Sequence, residues 1–395
     1  MNHTHHLVTW AAVAALFASA CVDPTQPEPS VEPAAEPEGP PTEIDLGTHY
    51  YEAEYIPAHF GVETEGQHLQ QPLMTADNTP DDNRLTDSGA ALGRVLFYDV
   101  NLSFNRTVSC SSCHLAEFGF SDDKVLSEGF EGGETGRHSM GLTNARFYDE
   151  GSFFWDQRAE TLEDQVLMPF QDEVEMGMTL ELVVERVEEQ PYYEGLFADA
   201  FGDDEVTTDR ISKALAQFVR SMISTRSKYD EGRAQVQNRR DPFPNFTEEE
   251  NLGKMLFVSP PPLGGFACFI CHQGEGFIAA NATSNGLDPV ITDRGYGKVT
   301  EDPLDEGTFK VPSLRNVAVR APYMHDGRFA SLEEVIDHYS EGINKNAPNL
   351  SGPFFGPSQF NMTPTEKAAL IAFLNTLTDE AMLTDPKFAD PFVYE

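Results

Sequence analysis

Cys110-Ser111-Ser112-Cys113-His114 and Cys268-Phe269-Ile270-Cys271-His272 decide how this chain of 395 residues is to be read. Each is a Cys-x-x-Cys-His pentad, the attachment pattern for c-type haem, in which both thiols add to the vinyl groups and the following His becomes the proximal iron ligand. A zinc reading would require two half-sites, 158 positions apart (268 against 110), to meet around one ion, whereas two haems need only their own neighbourhoods. A disulfide framework suits neither this spacing nor a chain of this length. The pentads therefore predict two covalent haems, one on Cys110, Cys113 and His114 and the other on Cys268, Cys271 and His272.

Outward from the pentads, the chain repeats itself. Leu92-Gly93-Arg94-Val95-Leu96-Phe97 precedes the first and Leu252-Gly253-Lys254-Met255-Leu256-Phe257 the second, at an offset of 160. A Gly-Phe pair follows each, Gly119-Phe120 and Gly276-Phe277. Further on, at an offset of 170, Trp155-Asp156-Gln157-Arg158 with Thr161-Leu162-Glu163 matches His325-Asp326-Gly327-Arg328 with Ser331-Leu332-Glu333. Two copies of one haem-binding unit are the simplest account.

Each copy reads as helical. Leu92 to Phe97 opens an amphipathic helix, and Thr161 and Ser331 stand as N-caps, Ser331 with Glu334 forming a capping box. Thr208 caps a helix with Ile211, Leu215, Phe218, Val219 and Met222 on one face, and Thr363-Pro364-Thr365-Glu366 opens the last helix. No strong alternation of period two is present. The expected fold class is all-α: two tandem cytochrome c-like domains with long loops, residues 46–235 and 236–395, each binding one haem.

Ahead of them, Leu7 to Ala20 is an apolar run of signal-peptide length ending Ala18-Ser19-Ala20-Cys21. Residues 1–20 read as a lipoprotein-type signal peptide with Cys21 the lipid anchor, and the Pro/Glu-rich residues 21–45 as an extended tether. Export agrees with covalent haem attachment, so the expected location is the periplasm, on a membrane anchor. With 26 Lys and Arg against 65 Asp and Glu, the net charge of −39 argues against nucleic acid or an anionic membrane face as partner.

Function turns on the far side of each iron. Tyr339 lies 14 residues past His325, and its counterpart 170 positions earlier is Pro169, which has no ligating side chain. On spacing, Tyr339 can cap the second haem while the first stays open. Met324 and His338 are the alternative caps, with Tyr339 then a packed phenol.

The order of the two pentads with Phe154-Trp155-Asp156-x-Arg158, Leu162-Glu163-Asp164-Gln165, Val174-Glu175-Met176-Gly177, Leu314-Arg315-Asn316 and Ala321-Pro322-Tyr323-Met324-His325-Asp326-Gly327 resembles the bacterial di-haem cytochrome c peroxidase family. The resemblance spans about residues 85–378 and leans to the MauG-like branch of methylamine-utilisation maturases. It implies a peroxidatic haem in the first domain and an electron-transfer haem in the second. By position, Glu175 resembles the catalytic carboxylate, Gln165 its partner amide and Trp155 the residue between the haems. His325 resembles a residue near the second haem's edge or propionates. Tyr339 falls where peroxidases carry a Met ligand and maturases a Tyr, and Pro169 matches the open side.

Two departures stand out. The loop Ser127 to Gly136 has no His, where reductively activated members carry a distal one, so the first haem is expected to stay open. His138 follows that loop and could take the distal role, but it aligns better with an Asn that helps hold an interdomain calcium. The calcium would keep only the carbonyls of Arg320 and Pro322, which weakens the case for it. The implied activity is that of an oxidoreductase using hydrogen peroxide. Its electrons would pass through Trp155 from a small cytochrome c or other exported redox protein, or from an aromatic side chain of a protein substrate. A non-enzymatic di-haem electron carrier is the competing reading, against which Pro169 and Glu175 speak. A redox or gas sensor would need an output domain that the sequence does not display.

Overall fold

In both halves the repeated Leu-Gly stretch lies inside a helix, and its glycine is where that helix crosses a partner. A computed structural model describes residues 43–52, 55–61, 72–148, 153–354 and 359–394; the expected signal peptide, lipidation site and most of the tether lie outside the described residues. Helix Asp87–Tyr98 begins at Thr86, whose side chain accepts from the Gly89 N–H, and it packs across helix Thr208–Ser221. Helix Glu248–Val258, with a Thr247/Glu250 capping box, packs across helix Pro364–Asn375, with a Thr363/Glu366 box and proline in its first turn. A Cβ on Gly93 would strike the Ala214 carbonyl, and one on Gly253 the Ala369 carbonyl. Both crossings bring backbone against backbone, which only glycine permits.

The basic residue after each glycine does equivalent work. Arg94 is buried and donates from Nε to the Ala389 carbonyl at 2.6 Å. Lys254, also buried, donates to the carbonyls of Arg239 (2.7 Å) and Asp241.

Two main apolar cores follow the halves. The first runs from Tyr51 to Ile223 and also takes in Ile278, Met382, Phe388 and Phe392; the second runs from Tyr229 to Leu377. The C-terminal segment thus returns to the first half. Tyr51 and Tyr98 donate their hydroxyls to the carbonyls of Lys387 (2.8 Å) and Phe388 (2.6 Å). A division at 235/236 does not anticipate that return. A buried ionic cluster lies where the halves meet: Arg315 pairs with Asp230 at 2.6 Å, His59 reaches Asp230 at 3.1 Å, and Arg233 pairs with Glu275 at 2.8 Å. Burial alone would raise the pKa of Asp230, but Arg315 and the hydrogen bonds from His59 and Ser227 hold it well below the ordinary carboxylate range.

Three details correct the sequence reading. The fold is helix-rich but not purely α: β1 (Glu43–Ile44) pairs with β4 (Phe392–Val393), and β2 (Ala279–Thr283) with β3 (Phe309–Val311), both antiparallel. The cap of the Thr208–Ser221 helix is Thr207, whose backbone is extended and whose hydroxyl accepts from the Arg210 N–H. Ser331 caps its helix as expected, but Glu334 accepts from the Ala330 N–H at 2.6 Å rather than closing the box on Ser331.

Gly253→Ala should lower the stability of the two-haem protein by roughly 1–3 kcal/mol through overpacking, read as a drop in the thermal midpoint. Gly61→Ala, where an added Cβ meets nothing within 4 Å, should leave the midpoint unchanged.

Candidate haem sites and the wall between them

Each pentad forms a short 3-10 turn, Cys110–Ser112 and Cys268–Ile270, after which the chain doubles back so that a backbone carbonyl meets the histidine. His114 Nδ1 lies 2.8 Å from the Phe120 carbonyl and His272 Nδ1 3.3 Å from that of Phe277. A carbonyl can only accept, so Nδ1 carries the proton and Nε2 keeps its lone pair for a metal. Phe120 and Phe277 reach this position with left-handed backbones, φ 60° and 55°. They are the second members of the Gly-Phe pairs that the repeat marks. Phe97 and Phe257 stand beside the two imidazoles at 6.3–6.4 Å, tilted by 41° and 42°. Burial holds both imidazoles below the ordinary histidine range, His272 at about 4, so both are neutral.

The four pentad thiols are free of disulfides. Burial pushes Cys110 and Cys268 up to about 12 and Cys113 and Cys271 up to about 11. A cavity opens beside each histidine, about 700 Å³ at His114 and about 210 Å³ at His272. The second is walled by Phe257, Phe266, Leu332, Ile336, Phe360 and Leu370 among others, an apolar lining suited to a porphyrin face. Arg320 also lines it, and its buried Nε has no hydrogen-bond partner, as expected of a group awaiting an anion such as a propionate. The residues present therefore fit two c-type haems.

The two cavities differ where the repeat predicts they should be compared. Helix Leu332–Asp337 runs on into a π-helical turn, His338–Gly342, and Tyr339 lines the second cavity together with Met324. Asn285 bridges them, donating to the Tyr339 oxygen at 3.3 Å and to the Met324 sulfur at 3.6 Å. Burial pushes the Tyr339 phenol up to about 12, opposed by the Asn285 hydrogen bond. His338 points elsewhere, its Nε2 at 3.1 Å from the Asn285 carbonyl, and it does not line the cavity.

In the first half the corresponding helix breaks. A short helix, Leu162–Gln165, is followed by a second, Met168–Gln171, with Pro169 in its first turn. Pro169, Gln165 and Glu175 all line the first cavity. The Glu175 loop is held by Asp172, whose side chain accepts from the N–H groups of Val174 (2.8 Å) and Glu175 (3.1 Å), and it turns at Gly177 with φ 66°. Burial, helped by the Asp172 charge and opposed by Arg158, pushes the Glu175 carboxyl up to about 7.

Trp155 lines both cavities. Its Nε1 donates to the His138 carbonyl at 2.8 Å, and its ring stands 6.5 Å from that of His325. His325 lies in the second cavity's lining, stacked on Phe309 at 3.8 Å. His138 lines both cavities, its Nδ1 committed to the Lys124 carbonyl at 3.0 Å and its Nε2 facing Ser121. No group of three or more His, Cys, Asp or Glu side chains converges on a metal position among the described residues, and the calcium expectation has no support.

Asn285 and Lys310 were missed by sequence reasoning. Lys310 lines both cavities beside Trp155, and burial pulls its ammonium down to about 7. It lies four residues before Leu314 of the Leu314-Arg315-Asn316 segment, the only signal that could have drawn attention to it.

Comparison with known proteins agrees with this architecture. Residues 87–238 match the family model described as di-haem cytochrome c peroxidase. The chain is 35% identical to methylamine utilization protein MauG of Methylorubrum extorquens, over 78% of this chain and 83% of that protein. It is 32% identical to cytochrome c551 peroxidase of Nitrosomonas europaea, over 74% of this chain and 80% of that one. Among solved structures, a MauG-like protein associated with microbial copper homeostasis superposes with a TM-score of 0.70 at 34% identity, covering 79% of this chain and 95% of that one. The di-haem peroxidase BthA of Burkholderia thailandensis shares the fold, with a TM-score of 0.64 at 22% identity over 78% of this chain and 91% of that one. The chain belongs to the di-haem cytochrome c peroxidase family, which includes the MauG proteins, and is a peroxide-acting oxidoreductase of that family.

Proposed function

We propose that the His114 cavity is where hydrogen peroxide is reduced and that the His272 cavity stores and relays electrons, closed on its far side by Tyr339. The observation that carries this reading is the asymmetry of the lining: Pro169, Gln165 and Glu175 in the roomier cavity, Tyr339 with Asn285 and Met324 in the tighter one. When bound, the haems supply the redox-active iron and hold oxidising equivalents.

Heterolysis of peroxide requires one proton to move from the oxygen that stays to the oxygen that leaves as water. Glu175 is suited to carry it, because a carboxyl held near neutrality can accept and return a proton at comparable cost. Gln165 can donate a hydrogen bond without bringing a charge. Trp155, fixed by its N–H on His138, offers an indole in contact with both cavities and is the route we assign to electrons. At Tyr339, the amide N–H of Asn285 aimed at the phenol oxygen favours its deprotonated form, the form a ferric ion binds. The donor is a small exported cytochrome c or an aromatic side chain of a protein partner. Were Tyr339 to hold the second haem's iron as a tyrosinate, the second would be favoured, since a hard anionic ligand stabilises oxidised iron. We place the enzyme in the periplasm, tethered through Cys21.

Glu175→Gln should lower peroxide turnover by about 10²–10⁴-fold while leaving both haems in place, measured by stopped-flow absorbance. A loss below tenfold would remove Glu175 as the proton carrier. Because its carboxyl is raised from 4.5 to about 7, Glu175 contributes stability that is full below pH 4.5 and is lost as pH rises through 7. The Gln variant should therefore show a flatter stability profile across that window in chemical denaturation. Tyr339→Phe should change the spin state of one haem in the ferric optical spectrum; an unchanged spectrum would exclude Tyr339 as a ligand.

A further inference from the structure

Among the described residues, the lining shared by the two cavities is His138, Ser139, Met140, Gly141, Trp155 and Lys310. These residues are the wall between the redox sites, and Lys310 brings the one Lys or Arg side chain in it. Arg320 lines only the second cavity, and Arg137, Arg158, Arg294 and Lys298 only the first. His138, the wall's other titratable side chain, is held by burial below the ordinary histidine range and is neutral at pH 7.

The strand explains how a cation comes to be there. β3 alternates its faces: Phe309 lays its ring on His325 in the second half, and Lys310 turns the other way into the first. Its ammonium stands 3.5 Å from the ring centroid of Tyr148 and 5.1 Å from that of Phe153. Its backbone N–H donates to the Trp155 carbonyl at 2.8 Å, so the strand is pinned to the indole's own residue. The residue is 4% exposed. Two aromatic faces at this range hold a cation by electrostatic attraction to the ring quadrupoles. In so dry a setting its field is screened far less than that of a surface lysine.

We propose that Lys310 is a positioning residue for electron transfer, its ammonium raising the reduction potentials of both haems at once because it stands in the wall common to their two cavities. A positive charge beside a redox centre opposes loss of an electron, so removing it should make each haem easier to oxidise. The effect reaches both sites from one side chain, which ties their potentials together. The proposal rests on each cavity holding a haem, not on which of them meets peroxide, so it is tested separately from the roles of Glu175 and Tyr339.

The experiment is spectroelectrochemical titration of the two-haem protein at pH 6, where the ammonium is charged, for wild type, Lys310→Met and Lys310→Arg. Haem content is checked first by the pyridine haemochrome spectrum. The expected result is a downward shift of both midpoint potentials in Lys310→Met and near-wild-type potentials in Lys310→Arg. A shift of one haem alone, or of neither, overturns the proposal. Should Lys310→Met fail to take up two haems, Lys310→Arg decides: a two-haem protein with wild-type potentials shows that the site requires the charge. Failure of both variants shows that the lysine acts by shape, and the proposal falls.

Discussion

Each pentad imidazole is held through Nδ1 by a backbone carbonyl, and the rest of the site is arranged around that bond. Without the carbonyls of Phe120 and Phe277, each ring could carry its proton on either nitrogen and rotate about its own axis. With them, Nδ1 is committed and Nε2 faces the cavity. The arrangement obliges a phenylalanine to adopt a left-handed backbone, at a cost of order 1–2 kcal/mol, and it does so in both halves. The same strained turn in two stretches of otherwise different sequence is hard to explain by anything other than the carbonyl's position. Phe97 and Phe257 then fill the space beside each ring, and the glycine crossings bring the helices that carry them close enough.

On that common scaffold, a small backbone difference separates the two cavities. In the second half the helix after Ser331 continues and widens into a π turn, which carries Tyr339 into the cavity and His338 away from it. In the first half Pro169 cannot continue a helix from the preceding turn, since it lacks the N–H and its ring meets the earlier carbonyl. The helix instead breaks after Gln165 and restarts at Met168, with the proline at the one place a helix accepts it. Where Tyr339 lines the second cavity, the first thus presents a proline, and the chain is redirected there. That chain then leads into the Asp172-braced loop bearing Glu175.

These differences were only partly legible in the sequence. The pentads, the repeat and the caps at Thr161, Ser331 and Thr363 could be read because each rests on a local rule with a fixed spacing. The cap at Thr207 was displaced by one position because two adjacent threonines offer the same hydroxyl, and only backbone conformation distinguishes them. The strands β2 and β3 were invisible because a few residues per strand carry too little alternation, and their pairing is made across an intervening loop. Lys310 and Asn285 were lost with them. The return of Phe388 and Phe392 to the first core had no local signal at all, since what they bury against is more than 150 residues away in sequence. The candidate ligands Tyr339, Met324 and His338 could be named but not separated by spacing. The π turn and Asn285, both tertiary features, place Tyr339 and Met324 in the cavity lining and His338 outside it.

The wall between the cavities is built from both halves, and its backbone is interlocked. The His138 N–H donates to the His325 carbonyl at 2.9 Å, the Lys310 N–H to the Trp155 carbonyl at 2.8 Å, and the Ser313 N–H to the Tyr148 hydroxyl at 3.1 Å. Each of these bonds joins a residue of one half to a residue of the other, and each is buried enough that breaking it would leave polar groups unpaired. The two cavities therefore cannot separate or slide without disrupting the wall they share. A long-range opening that displaces a distal ligand would need a mobile loop carrying that ligand. The loop before His138 has no histidine to supply it, and His138 itself is tied at its backbone and at Nδ1. The physical consequence is a fixed separation between two redox sites with an indole between them. In such an arrangement electron transfer is governed by relative potentials, which buried charge and axial ligands set, rather than by motion.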